Sequence, residues 1–247
     1  MALHQHQSAT ATSLAGATPM DGPIATARCI SKLYRTHGVE VPALVDVSLE
    51  IRRGEMVAIM GPSGCGKTTL LNCLAGLDTI DSGQIAISGH DLASMRDSQR
   101  TDFRAKTMGF IFQSFNLLPV LTALENVELP LLVLRERPHI ARRKAREMLA
   151  AVGLSNRERH RPAELSGGQQ QRVTIARALV NDPAIVWADE PTGNLDSEAA
   201  HEIMSLMAEL NQTRGQTFVI VTHAAEIGAR AHRILTMRDG RIEQRRE

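Results

Sequence analysis

The eight residues GPSGCGKT, positions 61–68, follow the pattern G-x-x-x-x-G-K-[ST]. Those residue types in that order suit the binding of a polyphosphate. Gly61, Gly64 and Gly66 permit a tight turn and close approach of the backbone, so the N–H groups of Ser63, Gly64, Cys65, Gly66, Lys67, Thr68 and Thr69 can wrap a β-phosphate. Pro62 completes the loop. Lys67 is long enough to reach the β- and γ-phosphates, and the Thr68 hydroxyl is a ligand of the kind Mg²⁺ takes. Cys65 lies inside the loop, where oxidation would block a nucleotide; a tolerated small side chain is the simpler reading.

Four further motifs follow in the chain. Residues 109–112 are apolar and lead to Gln113; residues 185–188 are apolar and lead to Asp189 and Glu190; residues 218–222 lead to His223. A carboxylate at the end of a buried strand is costly without a positive partner. Next to a phosphate loop, Mg²⁺ held through water is such a partner for Asp189. Gln113 and His223 alone would each read as an ordinary residue after a strand. Leu165 to Gln169 spell LSGGQ. Ser166 can cap a helix starting near Gln169, and Gly167 and Gly168 leave its first N–H groups bare, which makes a second helix N-terminus suited to phosphate.

The elements around these motifs give the loop its context. Residues 56–60 are apolar throughout, as in a strand buried on both faces. Leu70, Leu71, Leu74 and Leu77 recur at helical spacing after the loop, and Gly76 offers a stop. Strand, glycine loop and helix in that order favour a phosphate loop over a plain glycine turn. Residues 45–51 alternate, with Val45, Val47, Leu49 and Ile51 on one face, as in a half-exposed antiparallel strand. The short apolar strands with helices between them predict a mostly parallel sheet. Residues 117–181 read as helical, including a basic amphipathic helix over 141–152, and Asp239-Gly240 reads as a hairpin turn. The stretch 116–132 is leucine- and valine-rich, with Pro119 and Pro130 interrupting any single helix. Residues 1–23 have no periodicity and read as a disordered extension whose His4 and His6 need bind nothing; the folded domain spans 24–247.

Composition narrows little further. A formal net charge of +1 gives no sign of nucleic-acid binding. Three cysteines, Cys29, Cys65 and Cys73, cannot all pair, which suits a reducing compartment. No apolar stretch is long and uncharged enough to span a membrane, and no secretory signal is evident. The basic run with Arg142, Arg143, Lys144 and Arg146 reads as a solvated helix face before it reads as a lipid contact.

Taken in order, GPSGCGKT, Gln113, LSGGQ, Asp189-Glu190 and His223 resemble the ATP-binding cassette (ABC) ATPase family, over about nine tenths of the chain. That resemblance implies an α/β fold: a phosphate-loop core with a mostly parallel sheet, an antiparallel β-subdomain and an inserted helical subdomain at about 117–181. It implies ATP and Mg²⁺ as ligands, with Thr68, Gln113 and Asp189 around the metal. Glu190 would polarise the attacking water, Gln113 would contact both metal and water, and His223 would reach the γ-phosphate, with Lys67 completing the catalytic set. Tyr34, the only tyrosine, matches the position that stacks on adenine. Ser166, Gly167, Gly168 and Gln169 would complete the site of a second copy in a head-to-tail dimer, and Asp196 lies in the GNLD run that links the two sites.

The segments AGLDTIDSGQI, FIFQSFNLLPVLTALENVELPLL and DEPTGNLD look like the lipoprotein-release, macrolide-export and cell-division group, the LolD, MacB and FtsE types. The resemblance then implies an integral membrane permease of the FtsX/MacB type as partner and a place at the cytoplasmic face of the membrane. The alternative within the group is a regulatory ATPase of a cell-division-type complex that signals without moving cargo. Chromosome-maintenance ATPases would need a long coiled coil between Gln113 and LSGGQ, whereas only about fifty residues separate them here. Translation-factor cassettes would need the motif set twice, and it occurs once.

Overall fold

The computed structural model describes residues 22–36 and 39–246. In chain order the elements are β1 (Pro23–Thr36), β2 (Val39–Arg52), β3 (Met56–Met60), α1 (Lys67–Leu74), β4 (Ser82–Ile87), β5 (His90–Asp91), α2 (Asp97–Thr107), β6 (Met108–Phe112), α3 (Ala123–Val133) and α4 (Pro138–Ala151). They continue with α5 (Gly167–Leu179), β7 (Ile185–Asp189), α6 (Ser197–Arg214), β8 (Phe218–Val221), α7 (Ala225–Gly228), β9 (Arg233–Arg238) and β10 (Arg241–Arg246). Most of the expected extension, 1–21, lies outside the described residues, as do His4 and His6; Pro23 already belongs to β1.

Two sheets form. One is antiparallel with order β2-β1-β4-β5; the other is six-stranded, order β10-β9-β3-β8-β7-β6, parallel except for the β9–β10 hairpin. The central parallel strands β3, β6 and β8, and β7 up to Ala188, are short and apolar because both faces are covered. Val186, Ala188, Phe218 and Ile220 face a core shared with α3, α4, α5 and α6. Ile185, Trp187, Val219 and Val221 face a second core shared with α1 and the antiparallel sheet. The hairpin at Asp239-Gly240 has positive φ at both residues (45° and 75°), the turn that matches strand twist.

Several local expectations shift. The alternation of β2 holds at Val47, Leu49 and Ile51 but breaks at Asp46, whose φ is +52°. A register shift there puts Leu44 in the core and leaves Val45 half-buried, the signature of a bulge. Helix α1 ends at Leu74, so Leu77, expected on its apolar face, is exposed. The basic helix runs three residues earlier than expected, from Pro138, where proline supplies a pre-set first turn. Its cations are matched by acids: Arg142 with Glu128, Arg143 with Glu147, Lys144 with Glu136 and Arg146 with Glu158, at 2.8–3.2 Å. That supports a salt-bridged face.

Pro130 does not interrupt a helix; it lies inside α3. The helix tolerates it because its start is strongly fixed. Thr122 and Glu125 form a reciprocal capping box, and fully buried Asn126 bonds to the backbone of Leu118, Leu121 and Thr122. Helix α5 begins at Gly167, two residues before the expected start. It packs so closely on β6 that a Cβ at Gly109 would lie 2.3 Å from the Ala178 carbonyl oxygen. No helix among the described residues is long and apolar enough to cross a membrane.

Candidate active site

The parallel register aligns the strand ends. Phe112 pairs with Asp189, Asp189 with Val221, and Ile59 with Val221. Residues 61–68, Gln113, Glu190 and His223 therefore all emerge at the carboxyl edge of the sheet, the edge where open α/β sheets bind ligands.

The phosphate loop is shaped by close contacts. A Cβ at Gly61 would lie 2.2 Å from the Met237 carbonyl oxygen, and one at Gly66 2.4 Å from that of Ala43. Gly66 also has a φ of 101° and stands as the N-cap of α1. Among the described residues no side chain caps this helix, so the N–H groups of Lys67, Thr68 and Thr69 keep the donor capacity of a helix start. Lys67 is buried, and its Nζ donates to the carbonyl oxygens of Gly61 and Pro62, both at 2.8 Å. The exposed part of the loop is Pro62, Ser63 and Gly64, with Thr68 beyond. Cys65 is different: its side chain is buried in the core beneath, so oxidation has no ready access to it.

The Thr68 hydroxyl donates to Asp189 Oδ1 at 3.3 Å. Desolvation raises the Asp189 carboxyl above its usual range; the Thr68 bond opposes this, the neighbouring Glu190 charge adds to it, and Lys67 counteracts it. Glu190 has a φ of +47°, a conformation costly for a residue with a Cβ. It is held there by its N–H to Val221 O (2.9 Å) and by the Gly193 N–H to its own carbonyl (3.0 Å). The effect is to turn its side chain towards His223, whose Nδ1 donates to Oε1 at 2.7 Å. Glu190 is the more sheltered of the pair, at 17% exposure against 71%.

Gln113 is close in sequence register but bound elsewhere. Its Nε2 donates to Asn194 Oδ1 (3.2 Å), and Asn194 Nδ2 returns a bond to the Gln113 carbonyl (2.9 Å). It passes over Gly193, where a Cβ would lie 2.8 Å from Nε2. Asn194 is thus a residue that motif reading passed over, although it stands inside GNLD.

Ser166 is the N-cap of α5: its hydroxyl accepts from Gln169 N at 3.3 Å, and Gln169 Oε1 accepts from Ser166 N at 3.1 Å. Gly167 and Gly168 form the first turn, with Leu195 and Ala199 close where side chains would be. Asp196 accepts from Ala199 N (2.8 Å) and caps α6. Between these two helix starts lies a cleft of about 530 Å³. Among the described residues, no hydrogen bond or ion pair joins residues 166–169 to the phosphate loop.

Tyr34 lies on β1 opposite Val41, and both are exposed. Its hydroxyl donates to Asp78 Oδ2 at 2.7 Å, and Lys32 Nζ sits 5.2 Å from the ring centroid.

A phosphate loop, two carboxylates at the carboxyl edge of a parallel sheet and a glycine-led helix start define a phosphate-loop ATPase. Residues 44–193 match the family model described as ABC transporter, and the chain belongs to that family, as one of its ATP-binding subunits. It is 49% identical over 216 residues to an uncharacterized ABC transporter ATP-binding protein, MJ1508, of Methanocaldococcus jannaschii, covering 87% of this chain and 96% of that one. Two solved structures of MJ0796 match with a TM-score of 0.82 and 42% identity, covering 90% of this chain and 98% of theirs. One is described as a dimeric bacterial ABC transporter cassette, the other as a dimeric post-hydrolysis state of the cassette bound to ADP and Pi.

Proposed function

We propose that two copies of this chain bind and hydrolyse ATP with Mg²⁺ in a head-to-tail dimer, and so drive a separate integral membrane permease. The observation that carries the catalytic part is the placement of Glu190: strained backbone, sheltered carboxylate and a 2.7 Å bond to His223, directly after Asp189. Thr68 and Asp189 fit a Mg²⁺ ion: both are hard oxygen donors, and Asp189 is a partly buried carboxylate with no ion pair among the described residues, Lys67 acting on it only through space. A Mg²⁺ ion held by Thr68 and Asp189 would supply positive charge opposite the phosphates. The loop N–H groups and the start of α1 hold the phosphates, and Lys67 adds a direct cation to them. Glu190 accepts the proton of the attacking water, while His223 fixes the direction of its carboxylate.

The dimer is supported by the LSGGQ helix start. It is built for phosphate yet bonds to nothing in its own chain's loop, so its ligand belongs to another copy. MJ0796 is itself described as dimeric. The permease is read as the FtsX/MacB type from the wording of the three resembling segments, with the subunit at the cytoplasmic face and lipoprotein release or export as the work performed. Its docking surface is placed at an apolar groove of about 480 Å³ lined by Phe110, Phe112, Asn116, Leu129, Pro130 and Val133.

The test is Glu190→Gln. The variant should bind ATP, lose nearly all turnover, and elute as a dimer with ATP and Mg²⁺ but not with ADP. Phosphate release at the wild-type rate removes Glu190 from its role.

A further inference from the structure

Beyond the phosphate loop, the site must hold a nucleobase, and the surface offered for one is weakly supported. Positions 39–42 of β2 are all exposed, so no core lies under the strand pairing that carries Tyr34. A nucleotide has a fixed span between base and phosphates, so a ring meant to stack on the base must be held at a set distance from residues 61–69.

We infer that Asp78 is a positioning residue that locks Tyr34 in register with the phosphate loop, making one rigid unit of the base and phosphate subsites. This rests on the reading of Tyr34 as the base platform. Helix α1 starts in the loop and runs eight residues, about 12 Å at the helical rise. At its far end the Asn72 carbonyl accepts from both Leu77 N (2.8 Å) and Asp78 N (3.1 Å). From that anchor the Asp78 carboxylate spans to β1, taking the Tyr34 hydroxyl on Oδ2 (2.7 Å) and Lys32 Nζ on Oδ1 (2.9 Å). Lys32 also donates to the Thr79 carbonyl at 2.7 Å and presents its cation to the Tyr34 ring. Asp81 completes the grip: its carboxylate accepts from Leu33 N at 2.6 Å, and its N–H donates to Ser31 O at 2.9 Å.

The charges suit the task. Burial works against ionisation of Asp78, but the bonds from Lys32, Tyr34 and the Thr79 N–H outweigh it and keep the carboxyl below its usual range. With its hydroxyl turned to Asp78 and Thr69, Tyr34 offers a base its face. Stacking is tolerant of base identity but sensitive to ring orientation.

The experiment measures the affinity of the full chain for ATP and for inorganic tripolyphosphate, each with Mg²⁺, by calorimetry. The variants are Asp78→Ala, Tyr34→Phe, their double, and Tyr34→Ala. Asp78→Ala and Tyr34→Phe should each weaken ATP binding about three- to tenfold, and the double no more than Asp78→Ala alone, because Asp78→Ala already removes the Tyr34–Asp78 bond. Tripolyphosphate has no base, so its affinity should stay within about twofold of wild type throughout. Equal losses for ATP and tripolyphosphate would overturn the inference, since Asp78 would then act through α1 and the loop. Wild-type ATP affinity in Tyr34→Phe would overturn it too, and that variant decides the matter if Asp78→Ala does not fold. A different failure is visible separately: if Tyr34→Ala binds ATP normally, Tyr34 is no platform and the parent reading falls.

Discussion

Asp189→Asn should make the nucleotide-free protein more stable and the nucleotide-bound protein less so. The wild-type carboxylate is partly buried beside Glu190, and its only side-chain hydrogen bond among the described residues is the long one from Thr68, 3.3 Å. A polar group left short of partners costs about 1–3 kcal/mol, and partial exposure puts this one near the low end, about 1 kcal/mol. For a chain of this size that is a rise of about 2–4 °C in Tm. The pH dependence has a definite sign. Desolvation raises the folded-state carboxyl above its unfolded value, so the folded state holds the proton more tightly. Its contribution to stability is complete below the unfolded value and is lost as pH rises through the folded one. Near neutrality the wild type has lost it and the neutral amide has not; towards pH 4 the two proteins should converge. With Mg²⁺ and ATP the order reverses, because the variant forfeits a ligand linkage that is about 2.7 kcal/mol at a hundredfold excess over Kd. Thermal unfolding from pH 4 to 8, with and without Mg²⁺-ATP, measures all of this. A nucleotide-free variant no more stable than wild type at pH 7, or a gap that does not change with pH, refutes the argument.

Arg177 donates to the carbonyls of Phe115 (2.9 Å) and Asn116 (2.6 Å), consecutive residues with φ of +54° and +51°. Arg177→Ala should release that strained loop, seen as faster proteolytic cleavage within 113–118 at nearly unchanged far-ultraviolet dichroism; unaltered cleavage would show that the loop holds itself. Around the proposed docking groove, Val120→Asp and Val133→Asp alter residues that are 74% and 67% exposed, so each should leave Tm within about 2 °C of wild type. Of the two, only Val133 lines the groove, and Val133→Asp should abolish co-purification with the permease in detergent, while retained co-purification would place the permease elsewhere. Leu117→Asp should instead destabilise the isolated subunit, because Leu117 packs against the helical core.

The parts of this molecule that were legible in the sequence are those whose physics is local. Residues 61–68 carry their own turn, donors and cation, and a carboxylate pair after a buried strand advertises its cost. What stayed hidden depends on a partner distant in the chain, or on the lack of a pattern. Helix α2, DSQRTDFRAKT, has no buried residue, so there was no apolar period to find. Asn194 becomes visible only when β6 and β7 pair and bring Gln113 alongside. Pro130 read as a helix break because proline usually is one, and the capping box and Asn126 that override it act from the far end of the helix. The start of α5 shows the same conflict in miniature. Gly167 and Gly168 are poor helix formers, and in the sequence the Ser166 cap reads with a helix starting near Gln169. In the folded chain they are its first turn; a Cβ at Gly167 would meet Leu195 at 3.3 Å, and one at Gly168 would only touch Ala199 at 3.5 Å. Glycines there leave the helix start uncovered by side chains, beside the cleft of about 530 Å³ where the proposed second copy would present its phosphate, so the residues least suited to a helix are the ones its proposed task requires.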